Sequence, residues 1–331
     1  MIKLAFALVG LAAITSPALA QDRPAPARWS IAIHGGAGTM DRAAMSEAQQ
    51  ADYKASLQAA LDAGARVLAS GGSAGDAVVA VITRLEDDPK FNAGRGAVFT
   101  WQGTNELDSS FMLGDGRRAG AVAGVSHVKN PILLARAVME DGRHVMLSGT
   151  GAEEFAASHG IEMVDPGYFA TPERRESLER LKADQLSAYD VDHKFGTVGA
   201  VALDTQGHVA AGTSTGGITG KRWGRIGDSP VIGAGTYAQD GVCAISATGS
   251  GEYFIRVGVA KSICDRIALA GAGAQDAADQ VMAEVGALGG DGGVIVVAPN
   301  GDAVFSFNTQ GMYRGRATSD GVNEVAIFAG E

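Results

Sequence analysis

The sequence predicts an α+β fold in which β-sheets are packed inside layers of helix. Three observations carry that expectation. Two strand–turn–strand units, residues 197–213 and 293–308, share a design and lead into similar tails, Thr215-Gly216-Gly217 and Thr309-Gln310-Gly311. Two helix-like stretches, 253–270 and 274–287, lie between those units. Strands and helices also follow one another before residue 171, with no shift in composition that demands a second domain.

The elements follow in chain order. Residues 1–20 have the three parts of a secretory signal: Lys3 as the positive end, an apolar run over 4–14, and Ala18-Leu19-Ala20 as a small-residue cleavage site. The run is shorter than the roughly 20 residues a spanning helix needs, and Ser16-Pro17 closes it. Residues 21–28, with two prolines, read as a leader. A short apolar strand at 29–33 runs into His34-Gly35-Gly36-Ala37-Gly38. Residues 44–69 have helical spacing through Leu57, Leu61, Ala65 and Leu68, and stop at Gly71-Gly72. Ser73 with Asp76 caps a second helix. A Gly-rich turn follows at 91–96, then strands near 97–100 and 119–128. Asn130-Pro131 opens a helix through Met139, with Asn as cap and Pro in its first position. Residues 151–158 and 172–187 also read as helical.

Residues 171–196 break the pattern. They are rich in charge and hold no glycine before Gly196, which reads as a solvated helix leading into a polar linker. Elsewhere glycine is abundant, 47 of 331 residues against a usual ~7%, with no collagen-like period. The charge is −10, which argues against a nucleic-acid partner, since phosphates need a basic face. Apolar residues at 46% and charged ones at 19% support a sizeable core. No stretch after the signal is long and apolar enough to span a membrane. Cys243 and Cys264 could pair in an exported protein, but a strand-like and a helix-like setting favour two small buried hydrophobes.

Several chemistries fail on specific residues. Gly94-Arg95-Gly96 and His34-Gly35-Gly36-Ala37-Gly38 lack the Lys-Ser/Thr of a P-loop and the dinucleotide fingerprint. Gly249-Ser250-Gly251 lacks the spacing of a serine-hydrolase elbow. The six histidines are scattered, with no zinc spacing. Hydroxyl nucleophiles remain. Thr197 follows Gly196 where the charged linker meets an apolar strand. Thr215 ends the paired strand, and Thr248, beside Gly249, ends a third. Each alone fits ordinary strand and turn preference.

Together these segments resemble a known family. His34-Gly35-Gly36-Ala37-Gly38, Phe91-Asn92-Ala93-Gly94-Arg95-Gly96, Gly196-Thr197-Val198-Gly199, Thr213-Ser214-Thr215-Gly216-Gly217, Arg225-Ile226-Gly227-Asp228-Ser229-Pro230 and Thr248-Gly249-Ser250-Gly251-Glu252 look like the plant-type asparaginase / isoaspartyl peptidase family, in its order and spacing. The resemblance implies an N-terminal-nucleophile hydrolase: an αββα four-layer sandwich that cuts its own precursor between Gly196 and Thr197. Residues 21–331 would form one domain, maturing into an α chain of 21–196 and a β chain of 197–331. It implies that Thr197 is the nucleophile, Thr215 orients it, and Thr248 with Gly249 forms the oxyanion hole. Arg225 would clamp the substrate α-carboxylate and Asp228 its α-ammonium, with Gly251 beside them. The substrates implied are L-Asn and β-aspartyl dipeptides.

The chemistry suits the residues. A threonine hydroxyl needs an adjacent base, and a freed α-amine with a reference pKa of about 7.7–8.0 can serve. The resemblance also implies a structural sodium ion on the backbone carbonyls of Leu85, Glu86, Asp88, Phe91, Ala93 and Arg95, no catalytic cofactor, and a dimer of α/β heterodimers. Asp88 stands where some relatives have Cys. Export would place the protein in the periplasm or outside the cell. Two alternatives are a glycosylasparaginase-type hydrolase, which tends to have Asn in place of Gly217 and Asp in place of Glu252, and a non-catalytic exported amino-acid-binding protein.

Overall fold

The computed structural model describes residues 28–184 and 196–331. The predicted signal (1–20), the leader up to residue 27 and the linker residues 185–195 lie outside the described residues.

The described strands, in chain order, are β1 (Ser30–Gly38), β2 (Leu107–Leu113), β3 (Ala119–Val125), β4 (Met146–Ser148), β5 (Val198–Leu203), β6 (Val209–Thr215), β7 (Thr236–Gln239), β8 (Cys243–Gly249), β9 (Gly292–Val297), β10 (Ala303–Phe307), β11 (Gly311–Thr318) and β12 (Asn323–Phe328). The helices are α1 (Glu47–Ala69), α2 (Ala74–Asp87), α3 (Pro131–Asp141), α4 (Gly149–Ser158), α5 (Pro172–Ala183), α6 (Gly251–Val257), α7 (Val259–Ala270) and α8 (Ala274–Ala287).

The strands form two sheets. One has eight strands in the order β12-β11-β1-β5-β6-β2-β3-β4, and the other has four, β10-β9-β8-β7. Helices α1, α2 and α3 pack on the larger sheet, α7 and α8 on the smaller, and β1, β5 and β6 touch β8 or β9 across the interface between sheets. One apolar core joins α1–α3 to the larger sheet, and a second fills the space between the sheets and beneath α7 and α8. Every residue of β5 and β6 is buried. A strand covered on both faces reads as an unbroken apolar run, as Val198-Gly199-Ala200-Val201-Ala202-Leu203 does.

Both expected hairpins form, β5 with β6 and β9 with β10, but they lie in different sheets. α1 starts on a Ser46–Gln49 capping box, and the Ser73 side chain accepts from Asp76 N–H at the start of α2. Three expectations need correction. Asn130 precedes Pro131 as expected, yet its side chain makes no capping bond; the Glu86 carboxylate, at the end of α2, accepts from Ile132 N–H instead. The stretch 97–100 forms no strand, only a bridge between Phe99 and Asn105, because the Asn105 amide takes the carbonyls of Ala97 and Val98. The helix expected over 253–270 is two helices, divided by Gly258 at φ 64°.

The reading of two separate buried cysteines is also overturned. Cys243 opens β8, Cys264 lies on α7, and the packing of α7 against β8 brings their Cα atoms to 5.8 Å in a disulfide. Among the described residues no helix is long and apolar enough to cross a membrane.

Candidate active site

The register of the β5–β6 hairpin, with Val198 opposite Ser214, sets Thr197 opposite Thr215. Their hydroxyl oxygens are 3.0 Å apart, and Thr215 Oγ1 also accepts from Gly217 N–H at 3.0 Å. Thr215 is thereby held by its own turn while it faces Thr197. Gly196, directly ahead of Thr197, lies against Asn92: a Cβ there would come within 2.6 Å of Asn92 Cβ. Asn92 N–H donates to the Gly196 carbonyl at 3.0 Å, its own carbonyl accepts from Gly216 N–H, and its side-chain amide donates to Gly217 O. The loop containing Asn92 thus ties Gly196 to the Thr215 turn.

Thr248 is one strand repeat beyond Ser246 on β8, so the two side chains share a face. Ser246 hydrogen-bonds Thr213 Oγ1 at 2.7 Å, and Thr213 shares its face of β6 with Thr215. The ends of β6 and β8 therefore carry Thr215 and Thr248 toward the same region. Thr248 Oγ1 is buried without a hydrogen-bond partner. A buried hydroxyl left unpaired costs about 1–3 kcal/mol, so the position suits a donor awaiting a ligand oxygen.

Past Gly249, the chain enters α6 at Gly251, where a Cβ would fall 2.9 Å from Asp228 Oδ1 and 3.0 Å from an Arg225 Nη. That close approach unites the two segments carrying Thr248 and Asp228. Asp228 Oδ2 is buried and unpartnered. Burial pushes the Asp228 carboxyl up to about 7, against the pull of the nearby Arg225. Such a group gains most from a cationic partner.

The guanidinium of Arg225 is gripped by a carboxylate other than Asp228. Arg225 donates through Nε and Nη2 to the two Glu252 carboxylate oxygens, each at 3.0 Å. This leaves the Nη1–Nη2 edge of the fork for a second planar anion. Glu252 entered the sequence reading only as a family marker; its position one residue after Gly251 was the available signal. Lys221 was missed outright. Its buried ammonium donates to Glu106 O at 2.9 Å and faces Asp108 Oδ2 at 3.9 Å, and Asp108 pairs across the sheet with Thr215.

The expected sodium loop is a coil leaving α2. The Leu85 carbonyl would pair with the N–H four residues on, but residue 89 is proline and has none. Gly94 and Gly96 take φ 49° and 100°, with backbone carbonyls of Glu86, Pro89 and Phe91 crowding where their side chains would be. No group of three or more His, Cys, Asp or Glu among the described residues is placed to hold a metal ion.

A two-threonine contact behind a glycine supplies a hydroxyl nucleophile with a partner, and the anion fork and buried carboxylate supply groups for a charged ligand. Residues 27–327 match the model of the asparaginase family. The chain belongs to this asparaginase family. It is 48% identical to an isoaspartyl peptidase of Escherichia coli K12, over 86% of this chain and 91% of the relative. Identity to a probable isoaspartyl peptidase/L-asparaginase 2 of Arabidopsis thaliana is 42%, over 91% and 99%. Identity to the human isoaspartyl peptidase/L-asparaginase is 40%, over 85% and 91%.

Proposed function

We propose that this asparaginase-family chain hydrolyses the side-chain amide of L-Asn and of β-aspartyl dipeptides, using Thr197 after self-cleavage at Gly196–Thr197. The observation that carries the reading is the 3.0 Å contact between Thr197 Oγ1 and Thr215 Oγ1, directly behind Gly196. The relatives named isoaspartyl peptidase/L-asparaginase support the substrate class.

Self-cleavage starts when Thr197 Oγ attacks the Gly196 carbonyl, which Asn92 N–H polarises. The acyl group moves to oxygen as the C–N bond breaks, the departing Thr197 amine takes up the hydroxyl proton, and water then hydrolyses the ester to free the Gly196 carboxylate and the Thr197 hydroxyl. That amine then takes the proton of its own hydroxyl. Thr197 Oγ attacks the substrate side-chain carbonyl, and the developing oxyanion is held by Thr248 Oγ1 and Gly249 N–H. Collapse expels ammonia or the peptide amine, which receives the proton. Water then releases L-Asp from the Thr197 ester. Arg225 holds the α-carboxylate through its open edge, and Asp228 the α-ammonium.

The wider reading is of one domain, 21–331, in a four-layer αββα sandwich, cut into chains of 21–196 and 197–331 and paired as a dimer of heterodimers. Residues 1–20 direct export to the periplasm or beyond. A structural sodium ion would sit among the carbonyls of Leu85, Glu86, Asp88, Phe91, Ala93 and Arg95, where hard oxygen ligands suit a hard cation. A panel of L-Asn, β-aspartyl-leucine and glycosyl-Asn tests the substrate class, run beside Thr197→Ala. Release of L-Asp from the first two, abolished in the variant, is expected; retained hydrolysis by Thr197→Ala would remove Thr197 from its role.

A further inference from the structure

His34, in the first glycine-rich motif, has no part in the chemistry above, yet it is fully buried beside Thr197. Its Nδ1 is 3.0 Å from the Thr197 carbonyl oxygen and its Nε2 is 2.9 Å from Ser246 Oγ. From Ser246 the contacts continue through Thr213 Oγ1 (2.7 Å), Thr236 Oγ1 (2.5 Å) and Ser110 Oγ (2.7 Å) to the Ser229 carbonyl (2.5 Å). All five side chains are fully buried. They come from β1, β8, β6, β7 and β2, so the chain of contacts crosses between the two sheets. One end is the carbonyl of Thr197, and the other is the carbonyl of the residue after Asp228.

We propose that His34 is a positioning residue for Thr197, and that the hydroxyl relay Ser246–Thr213–Thr236–Ser110 holds its ring through Nε2 and ties the nucleophile to the segment carrying Asp228. The inference rests on the functional reading above, which gives Thr197 and Asp228 their roles.

Hydrogen counting gives the relay a direction. Both terminal groups are carbonyls and can only accept. Burial pushes the imidazole down to about 3, so His34 carries one hydrogen. That hydrogen belongs on Nδ1, because a bare Nδ1 would set its lone pair against the Thr197 carbonyl. Nε2 must then accept from Ser246, Ser246 from Thr213, and Thr213 from Thr236. Each hydroxyl has one hydrogen to give, so the shortage falls on Ser110, which lies between Thr236 Oγ1 and the Ser229 carbonyl. The longer Thr213 contact to the Gly235 carbonyl, 3.2 Å, is the branch left unfilled. The Thr197 carbonyl sets the Nδ1–H form, and Ser246 is the link that satisfies the bare Nε2 this form leaves.

Gly199 is a second sign that the junction is built. It pairs with His34 across β1 and β5, and a Cβ there would overlap both Ser246 Oγ and His34 Nε2. A glycine at that position leaves the imidazole–hydroxyl contact intact.

The test compares Ser246→Ala with Ser246→Thr and with Ser109→Ala, using full-length protein. Ser109 is a fully buried hydroxyl of β2 that donates to the Thr213 carbonyl and stands outside the relay. With β-aspartyl-leucine as substrate, Ser246→Ala should lower kcat about tenfold or more with KM within about twofold, the loss expected for a misplaced catalytic group. Ser246→Thr should restore most of it, and Ser109→Ala should leave kcat near the native value. Equal kcat in Ser246→Ala and native protein, or an equal loss in Ser109→Ala, would overturn the relay. Nitrogen-15 NMR of the imidazole gives an answer that needs no turnover: an Nδ1–H tautomer in native protein is expected, and an Nε2–H tautomer contradicts the proposal. Native protein that leaves β-aspartyl-leucine intact would sink the functional reading, and the NMR result would still decide the relay.

Discussion

The chain builds nearly the same hairpin twice, and only one copy reaches the candidate site. β5–β6 and β9–β10 are both antiparallel, joined by short polar turns, and followed by a Thr-x-Gly tail, though β10 is only partly buried. In the first tail, Thr215 Oγ1 accepts from Gly217 N–H and faces Thr197. In the second, the Thr309 hydroxyl donates to the Gly311 carbonyl at 2.8 Å, within its own turn, before the chain enters β11. The local sequence is therefore insufficient to make a site. What differs is the company: the loop at Asn92 crosses the first tail and the N-terminal end of β5 lies beside it, whereas the second lies at the edge of the smaller sheet's hairpin.

The largest expected effect follows from breaking that contrast. Thr215→Ala should lower kcat about a hundredfold or more, in the range for a lost catalytic hydrogen bond, while Thr309→Ala should stay within about twofold. Steady-state rates on β-aspartyl-leucine check both. Comparable losses in the two variants would erase the distinction.

Arg225→Lys comes next. Lysine keeps the charge but not the fork that grips Glu252 and leaves an edge open. A charge-assisted hydrogen bond is worth about 1.5–3 kcal/mol, so KM for L-Asn should rise about ten- to a hundredfold. An unchanged KM would take the α-carboxylate away from Arg225.

The buried Asp228 carboxyl makes a pH prediction. It must be ionised to hold an ammonium, and burial pushes it up to about 7. KM for L-Asn should therefore rise as pH falls through about 7, and Asp228→Asn should flatten that limb of the profile. The same shift works on folding in the other direction. The native state holds the Asp228 proton to higher pH than the unfolded chain, so this contribution to stability is present at low pH and fades between 3.8 and about 7.

The smallest effect on catalysis should come from the disulfide. The Cys243–Cys264 disulfide joins β8 to α7 across 21 residues of chain. Replacing both with Ser should lower stability by about 3 kcal/mol on the loop-entropy estimate, read as a fall in Tm, with kcat little changed. Reduction of native protein should reproduce the shift.

What was legible in the sequence divides along the same line. Thr197, Thr215 and Thr248 stand at strand ends and Arg225 and Asp228 in the loop between β6 and β7, each in a short motif that local pattern and family resemblance single out. The helices on either side of Gly71-Gly72 and both hairpins follow from periodicity and turn residues. The missed features join residues far apart in the chain. His34 is 163 residues from Thr197 and 212 from Ser246. Glu86 replaces Asn130 as the cap of α3 because the end of α2 is carried there by tertiary packing. The disulfide likewise depends on which face α7 turns to β8. No period or spacing encodes such meetings.

Hydrolysis by this route requires that Thr197 become an N-terminal nucleophile. Intact-mass analysis of purified protein, followed over hours of incubation, tests it most directly. Self-cleavage should give one fragment ending at Gly196 and another, residues 197–331, beginning with a free Thr197 amine, with hydrolysis of β-aspartyl-leucine growing as the uncut species disappears. A single uncut chain that hydrolyses the dipeptide at a constant rate would contradict it.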